Sequence, residues 1–189
     1  MQLVYRYSFW VLWAAWLLYW LWAARNAKPA AREEGRAARL LHIAPLLLAV
    51  LLQSFPPRDL GLPSLLLFQP NQASFFIGLA VSLLGWGWTI WARVTLGGNW
   101  SGTVTVKHGH ELIVSGPYRI TRHPIYTGLL LAFLGGAAAS AQAQSLLAVA
   151  LAALAFRLKY RVEEAFMIET FGDAYRDYRK RVPALVPFQ

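Results

Sequence analysis

Cysteine is absent from this 189-residue chain, which excludes a disulfide framework, a thiolate nucleophile and any Cys-ligated zinc or iron centre. It also leaves the redox compartment unreadable. Acidic residues are scarce, nine Asp and Glu against 18 Lys and Arg, for a formal net charge of +9. Such a surplus asks for an anionic partner. The basic residues fall between and after apolar runs and form no stripe of their own, so lipid headgroups fit them and nucleic acid is not expected. His108, His110 and His123 have no carboxylate or Cys at metal-ligand spacing, so no metal site is expected. Internal repeats and low-complexity tracts are lacking too, apart from the Ala and Leu enrichment that membrane helices produce.

What the chain does have is apolar surface. Hydrophobic residues make up 57% of it, Trp alone accounts for nine positions, and the mean hydropathy is +0.40, outside the ordinary soluble range. The first apolar run, 7–24, is close to the ~20 residues a helix needs to cross hydrocarbon. It is rich in Trp and begins almost without charge, unlike a cleaved signal peptide. Within it Trp10, Trp13, Trp16 and Trp20 recur every three or four residues, a stripe suited to helix packing or an interfacial belt. A second run, 40–55, contains Pro45, which a membrane helix tolerates. In the third, 74–94, Gly78, Gly85 and Gly87 permit close helix approach. Apolar character resumes over 125–158, broken by the polar residues of 141–144, which favours two short helices in a hairpin over one long helix.

The expected fold is therefore all-α and integral to the membrane. It is one domain, residues 1–189, with about five transmembrane helices, a C-terminal helical hairpin and a cytoplasmic cofactor pocket. Residues 1–94 supply the first three spans and 95–189 the cofactor-binding, catalytic half. Arg25, Lys28, Arg32, Arg36 and Arg39 crowd the first connection, whereas the second, 56–73, carries only Arg58. The first connection is then cytoplasmic. Alternation puts the N-terminus and the hairpin tip outside, and segment 95–124 and the tail from Lys159 inside.

Those two inner segments carry the polar chemistry. The first holds His110, Glu111, Leu112 and Ile113, then Ser115-Gly116-x-Tyr118, then Arg122-His123-Pro124-Ile125-Tyr126-x-Gly128. The second holds Glu163-Glu164 and Phe171-Gly172-x-x-Tyr175-x-x-Tyr178, followed by Arg181-Val182-Pro183 and reaching residue 187. Gly-Pro and His-Pro mark turns and extended chain before the fourth helix. A charged pair at the end of an apolar span needs a partner or a function. The 171–181 stretch reads as an amphipathic closing helix on the bilayer surface.

In this order, with apolar spans between them, these residues resemble the integral membrane methyltransferases that include isoprenylcysteine carboxyl methyltransferase, with phosphatidylethanolamine N-methyltransferases as more distant relatives. The likeness covers roughly the C-terminal half. It implies S-adenosyl-L-methionine as cofactor, in a pocket lined by His110, Glu111, Leu112, Ile113, Tyr118, His123, Pro124, Ile125, Tyr126, Glu163 and Glu164. Tyr118 and Tyr126 can offer ring faces to adenine or the sulfonium. The Glu pair suits an ammonium or ribose hydroxyls, and the His side chains suit a carboxylate or adenine edge. The implied acceptor is a lipophilic small molecule or lipidated chain such as a prenyl-cysteine, methylated on its carboxylate. That group is ionised near neutral pH and needs no base. An amine would need one. A carboxylate asks for a cation, and the family's arginine before the Glu pair falls on Lys159, with Arg157 and Arg161 on either side; Arg157 and Lys159 are the expected acceptor-orienting residues. Thr105, near where eukaryotic relatives carry Gln, is a second departure. Phospholipid or other lipophilic amines and thiols stay open as acceptors. A sterol-reductase-like oxidoreductase using reduced nicotinamide dinucleotide phosphate, or a non-enzymatic membrane protein of the same fold, are the alternatives outside the class.

Overall fold

The structure is a computed structural model and describes residues 2–185. Six helices run in the order α1 (Gln2–Ala23), α2 (Arg36–Ser54), α3 (Gln72–Leu96), α4 (Pro124–Ser140), α5 (Ala143–Phe171) and α6 (Asp173–Arg181). Between them lies a two-stranded antiparallel ribbon, β1 (Ala30–Glu33) with β2 (Thr105–Lys107), in which Glu33 faces Thr105. An all-α reading of the sequence missed this ribbon. Its strands are three and four residues long and contain little of the alternation that marks a strand.

Local chemistry sets the helix ends. A capping box opens α3: Asn71 Oδ1 accepts the Ser74 N–H at 2.9 Å and Ser74 Oγ accepts the Asn71 N–H at 3.0 Å. Pro124 occupies the first turn of α4, where its missing N–H costs nothing. Ala141 ends α4 in the left-handed region, φ 54°. No glycine is needed there because neighbouring chain holds the turn: Leu67 N–H donates to Ala141 O and Ala143 N–H to Leu65 O. The expected hairpin break at 141–144 is present. Helix α5, however, is not short. Its 29 residues run on through the charged 157–171 segment, a length of about 43 Å, so the Glu pair sits on the same continuous helix as the apolar run.

The tightest packing is between α3 and α4. A Cβ added at Gly85 would lie 2.4 Å from Gly128 O, and one at Gly78 would lie 2.4 Å from Gly135 O. Of the three glycines expected to permit close approach, Gly87 does not, since nothing lies within 4 Å of its Cβ position. Trp13 and Trp16 of the α1 stripe pack inward while Trp10 stays exposed: Trp13 meets Trp86 and Phe133, and Trp16 stacks on Trp20 and donates its indole N–H to Thr89 Oγ1 at 2.8 Å. Leu and Val side chains on the outer faces of α1, α2 and α3 stay exposed, Leu84 at 72% and Leu41 at 67%. That is apolar surface beyond what water tolerates. Among the described residues, two helices, Arg36–Ser54 and Gln72–Asn99, have the length and hydropathy to cross a bilayer. The many Trp and Tyr of α1 lower its hydropathy without shortening it.

Two groups of connections separate to opposite ends of the bundle. At one end, residues 55–67 meet the α4–α5 turn, where Gln144 Nε2 donates to Leu52 O and Phe55 O. At the other, the ribbon, the 97–123 segment and the C-terminal stretch converge, with Lys28 N–H on Gly98 O and Arg122 N–H on Pro183 O.

Candidate functional site

The 109–123 segment has little regular structure of its own and is fixed by what surrounds it. Tyr178, on α6, donates its hydroxyl to Tyr118 O at 2.6 Å. The chain after α6 runs beside the start of α4, so that His123 N–H donates to Ala184 O and Thr127 Oγ1 to Leu185 O. The Arg-Val-Pro motif thus clamps the polar loop to α4; residues 186 and 187, its expected continuation, lie outside the described residues.

Within that clamp the Glu pair divides its labour. Glu164 is buried and held by Arg122 at 2.8 Å, His123 Nε2 at 3.1 Å and Arg179 Nε at 3.3 Å. Arg122 also donates to Arg179 O and Val182 O. Glu163 accepts the Tyr126 hydroxyl, and its other oxygen lies 3.4 Å from His123 Nδ1. Its side chain keeps 23% of its surface open. Burial opposes charge on all three groups. The contacts outweigh it, so His123 is pushed above the ordinary imidazole value while Glu163, held by His123 and Lys159, and Glu164, held by His123 and Arg122, fall below the ordinary carboxylate range. Burial and the nearby Glu163 charge raise the Tyr118 phenol well above its usual value.

Phe156, Tyr126, His123 and Tyr160 form one column of near-parallel rings, with centroids 4.9, 5.6 and 5.0 Å apart along the sequence of contacts. Within this column Tyr126 also holds Glu163 through its hydroxyl.

A cavity of about 300 Å³ opens between these elements, at the lower end of the ~300–1,000 Å³ typical of small-molecule sites. His110, Glu111, Leu112, Ile113, Tyr118, His123, Pro124, Ile125, Tyr126, Glu163 and Lys159 all line it. Glu164 does not, being consumed by its three cationic neighbours, and Arg157 is exposed on α5 outside the lining. Lys159 donates to Gly102 O at 2.9 Å and lies 5.5 Å from the centroid of Tyr126. The sequence reading also missed several wall residues. Trp16, Trp20 and Trp100 form an aromatic side, and His42 on α2 reaches the cavity from a region with no recognised motif. Arg122 stood in the quoted motif, and the signal for its role was the buried Glu that any such Arg must neutralise. Among the described residues, no group of three or more His, Asp or Glu side chains is arranged to hold a metal ion.

Residues 73–174 match the family described as phospholipid methyltransferase. The match spans more than half of the chain, which belongs to this family. A cobalt-zinc-cadmium resistance protein of Cupriavidus metallidurans is 35% identical over 59% of this chain and 46% of its own length. The protein-S-isoprenylcysteine O-methyltransferase of Schizosaccharomyces pombe is 34% identical over 51% of this chain and 42% of its own. The chain thus spans about half the length of the curated relatives it matches. Its fold is similar to the solved structure of the eukaryotic intramembrane Ras methyltransferase, isoprenylcysteine carboxyl methyltransferase, with a TM-score of 0.54 and 24% identity over 80% of this chain and 50% of that one.

Proposed function

We propose that the chain is an S-adenosyl-L-methionine-dependent methyltransferase acting on a lipophilic acceptor at a membrane surface. One observation carries this reading: residues of two stretches distant in sequence, 110–126 and 159–163, meet on one cavity whose walls combine buried aromatic rings with an incompletely satisfied carboxylate. The donor set fits the cofactor. Glu163 retains lone pairs for an ammonium or ribose hydroxyls. Tyr118 is 7% exposed and presents an aromatic wall, and 110–113 lies in neither helix nor strand, so its backbone groups are not taken up by a ladder. When bound, the cofactor supplies an electrophilic methyl on a sulfonium. The chain's own task is then to hold the acceptor in line with that methyl and keep water out, effects that contribute several kcal/mol or more.

The five-span topology belongs to the same reading. Basic residues concentrate on the connection at the pocket end, which makes that end cytoplasmic and leaves α1 to α5 crossing the bilayer. An acyl or prenyl tail gains about 0.8 kcal/mol per methylene kept in hydrocarbon, so the acceptor enters sideways between helices while the cofactor arrives from the cytosol. The wall residues Trp16, Ile43, Leu46 and Leu129 suit such a tail.

Two acceptor chemistries are compatible with the cavity. A carboxylate can be held by Lys159, which keeps two of its three N–H donors beyond the Gly102 bond. A nucleophile that arrives protonated is favoured by the imidazole of His42 in the cavity wall. Transfer of labelled methyl to a panel of lipophilic acids, thiols and amines, followed by product identification, tests the function. Transfer to one class with S-adenosylhomocysteine as inhibitor supports it. Binding of reduced nicotinamide dinucleotide phosphate in place of S-adenosylhomocysteine refutes it.

A further inference from the structure

A second cluster of ionisable groups, Glu34, Arg39 and His42, lies outside the stretch that matches the family and reaches the cavity through His42. The Glu34 side chain is fully buried. It accepts the Val104 N–H at 3.2 Å and meets His42 Nε2 at 2.9 Å, and Arg39 Nε lies 3.8 Å from its other oxygen. His42 is 4% exposed and lines the cavity. Among the described residues its Nδ1 has no hydrogen-bond partner. Thr105, at the start of β2, lines the same cavity, and its buried hydroxyl is likewise unpartnered.

Stability alone is a poor explanation for this cluster. A buried ionic pair is often no more stable than apolar residues of similar volume, and an ionisable side chain within an apolar helix is expensive enough that function is the default reading. The ionised Glu34 carboxylate can only accept, which makes Nε2 the donor nitrogen. With Nε2–H donated to Glu34, the imidazole presents Nδ1 as an acceptor, the arrangement of a carboxylate-oriented base. Arg39 balances the Glu34 carboxylate.

We propose that Glu34 and His42 form a proton-accepting dyad for a lipophilic thiol acceptor. This rests on the methyltransferase reading and narrows its substrate. An ionised carboxylate has no proton to remove and would leave the dyad without a task. An alkylammonium, ordinarily near 10.4, holds its proton about two units more tightly than a thiol near 8.5, so the thiol is the easier of the two to deprotonate. In the reaction the S–H proton passes to His42 Nδ1. The sulfur lone pair forms the bond to the methyl carbon as the carbon–sulfonium bond breaks, and that bond's electrons stay with the departing thioether sulfur. The imidazolium, held by Glu34, then releases its proton to water.

The test compares two lipophilic thiols of equal length, a long-chain alkanethiol that is protonated at neutral pH and a fluorinated aryl thiol that is already ionised. The full chain is used in nanodiscs with labelled S-adenosylmethionine. His42→Gln and Glu34→Gln should lower kcat for the alkanethiol by about 10²-fold or more, leave the ionised thiol within about threefold, and leave the S-adenosylhomocysteine Kd unchanged. Nitrogen-15 NMR of histidine-labelled protein should show His42 protonated at Nε2 and not at Nδ1, with that preference lost in Glu34→Gln. Equal losses on both thiols, or an Nδ1–H tautomer in the unmutated protein, overturn the dyad while leaving the methyltransferase reading intact. Transfer by the unmutated protein to carboxylic acids alone overturns the thiol assignment. Transfer to no acceptor of any class overturns the reading beneath it, and the dyad falls with it.

Discussion

Replacing Gly128 by Ala should separate the two helices that frame the site. The new Cβ would stand 2.5 Å from Gly85 O, 2.7 Å from Thr89 Cγ2 and 3.1 Å from Thr89 N. Two of these contacts are with backbone atoms, which cannot turn aside as a flexible side chain can. Ordinary contact begins near 3.4 Å, so α3 and α4 must move apart by about 0.9 Å or bend, an overpacking strain of ~1–3 kcal/mol. At the ~2–4 °C per kcal/mol expected for a chain of this length, the melting temperature in detergent should fall by roughly 2–12 °C. The displacement also reaches the cavity, because Thr89 anchors the Trp16 indole and α4 carries Tyr126. Gly87→Ala is the matched control: its Cβ meets nothing within 4 Å, and the helix should gain up to ~1 kcal/mol. The reasoning fails if Gly128→Ala melts with the unmutated protein, or if Gly87→Ala falls as far.

Three further outcomes follow from the site. Glu163 and Glu164 titrate below their ordinary value of 4.5, so their stabilisation is present above that pH and fades as pH falls through their folded values. His123 titrates above 6.5, so its contribution is complete below that pH and fades as pH rises through its folded value; melting against pH should peak between these limits, and a Glu164→Gln variant with an unchanged profile would contradict the cluster. Arg157→Ala should leave cofactor and acceptor affinities within about twofold, since Arg157 is outside the cavity, whereas Lys159→Ala should raise the Michaelis constant of any acidic acceptor; equal effects on acceptor kinetics would restore Arg157 to the site. Cysteines introduced singly at 108 and 62 test topology cleanly, because the chain has none of its own. In sealed cells an impermeant reagent should label 62 and spare 108, and the reverse pattern would invert the orientation.

Much of the helical layout was legible because apolar runs and their breaks are sequence-local signals. The His123-Pro124 start of α4 and the polar 141–144 interruption each fall at or near an observed boundary. The ribbon was not legible, since β1 and β2 are about 70 residues apart and each is stabilised by the other. The extent of α5 was misjudged for a related reason: an end to hydrophobicity is not an end to helix, and 157–171 contains neither Gly nor Pro to stop it. At the site, the motif residues that meet on the cavity could be named in advance. What could not be read was how they divide: Glu163 faces the cavity while Glu164, one residue on, turns into Arg122 and Arg179. Adjacent positions on a helix point about 100° apart, so the two carboxylates share His123 and otherwise part company. His42 and Glu34 were invisible as a site because their contact needs the ribbon to bring Val104 beside them.

The most direct test of the account is the affinity of S-adenosylhomocysteine, measured by calorimetry in detergent for the unmutated chain and for Glu163→Ala and Tyr126→Ala. Glu163 offers the cavity its open carboxylate, and Tyr126 holds that carboxylate through its hydroxyl. Each substitution should weaken binding by ~1–3 kcal/mol, about 5- to 150-fold, with the fold intact by circular dichroism. Binding of unchanged strength in both folded variants, or no binding to the unmutated chain, would contradict the claim that this cavity is the cofactor site.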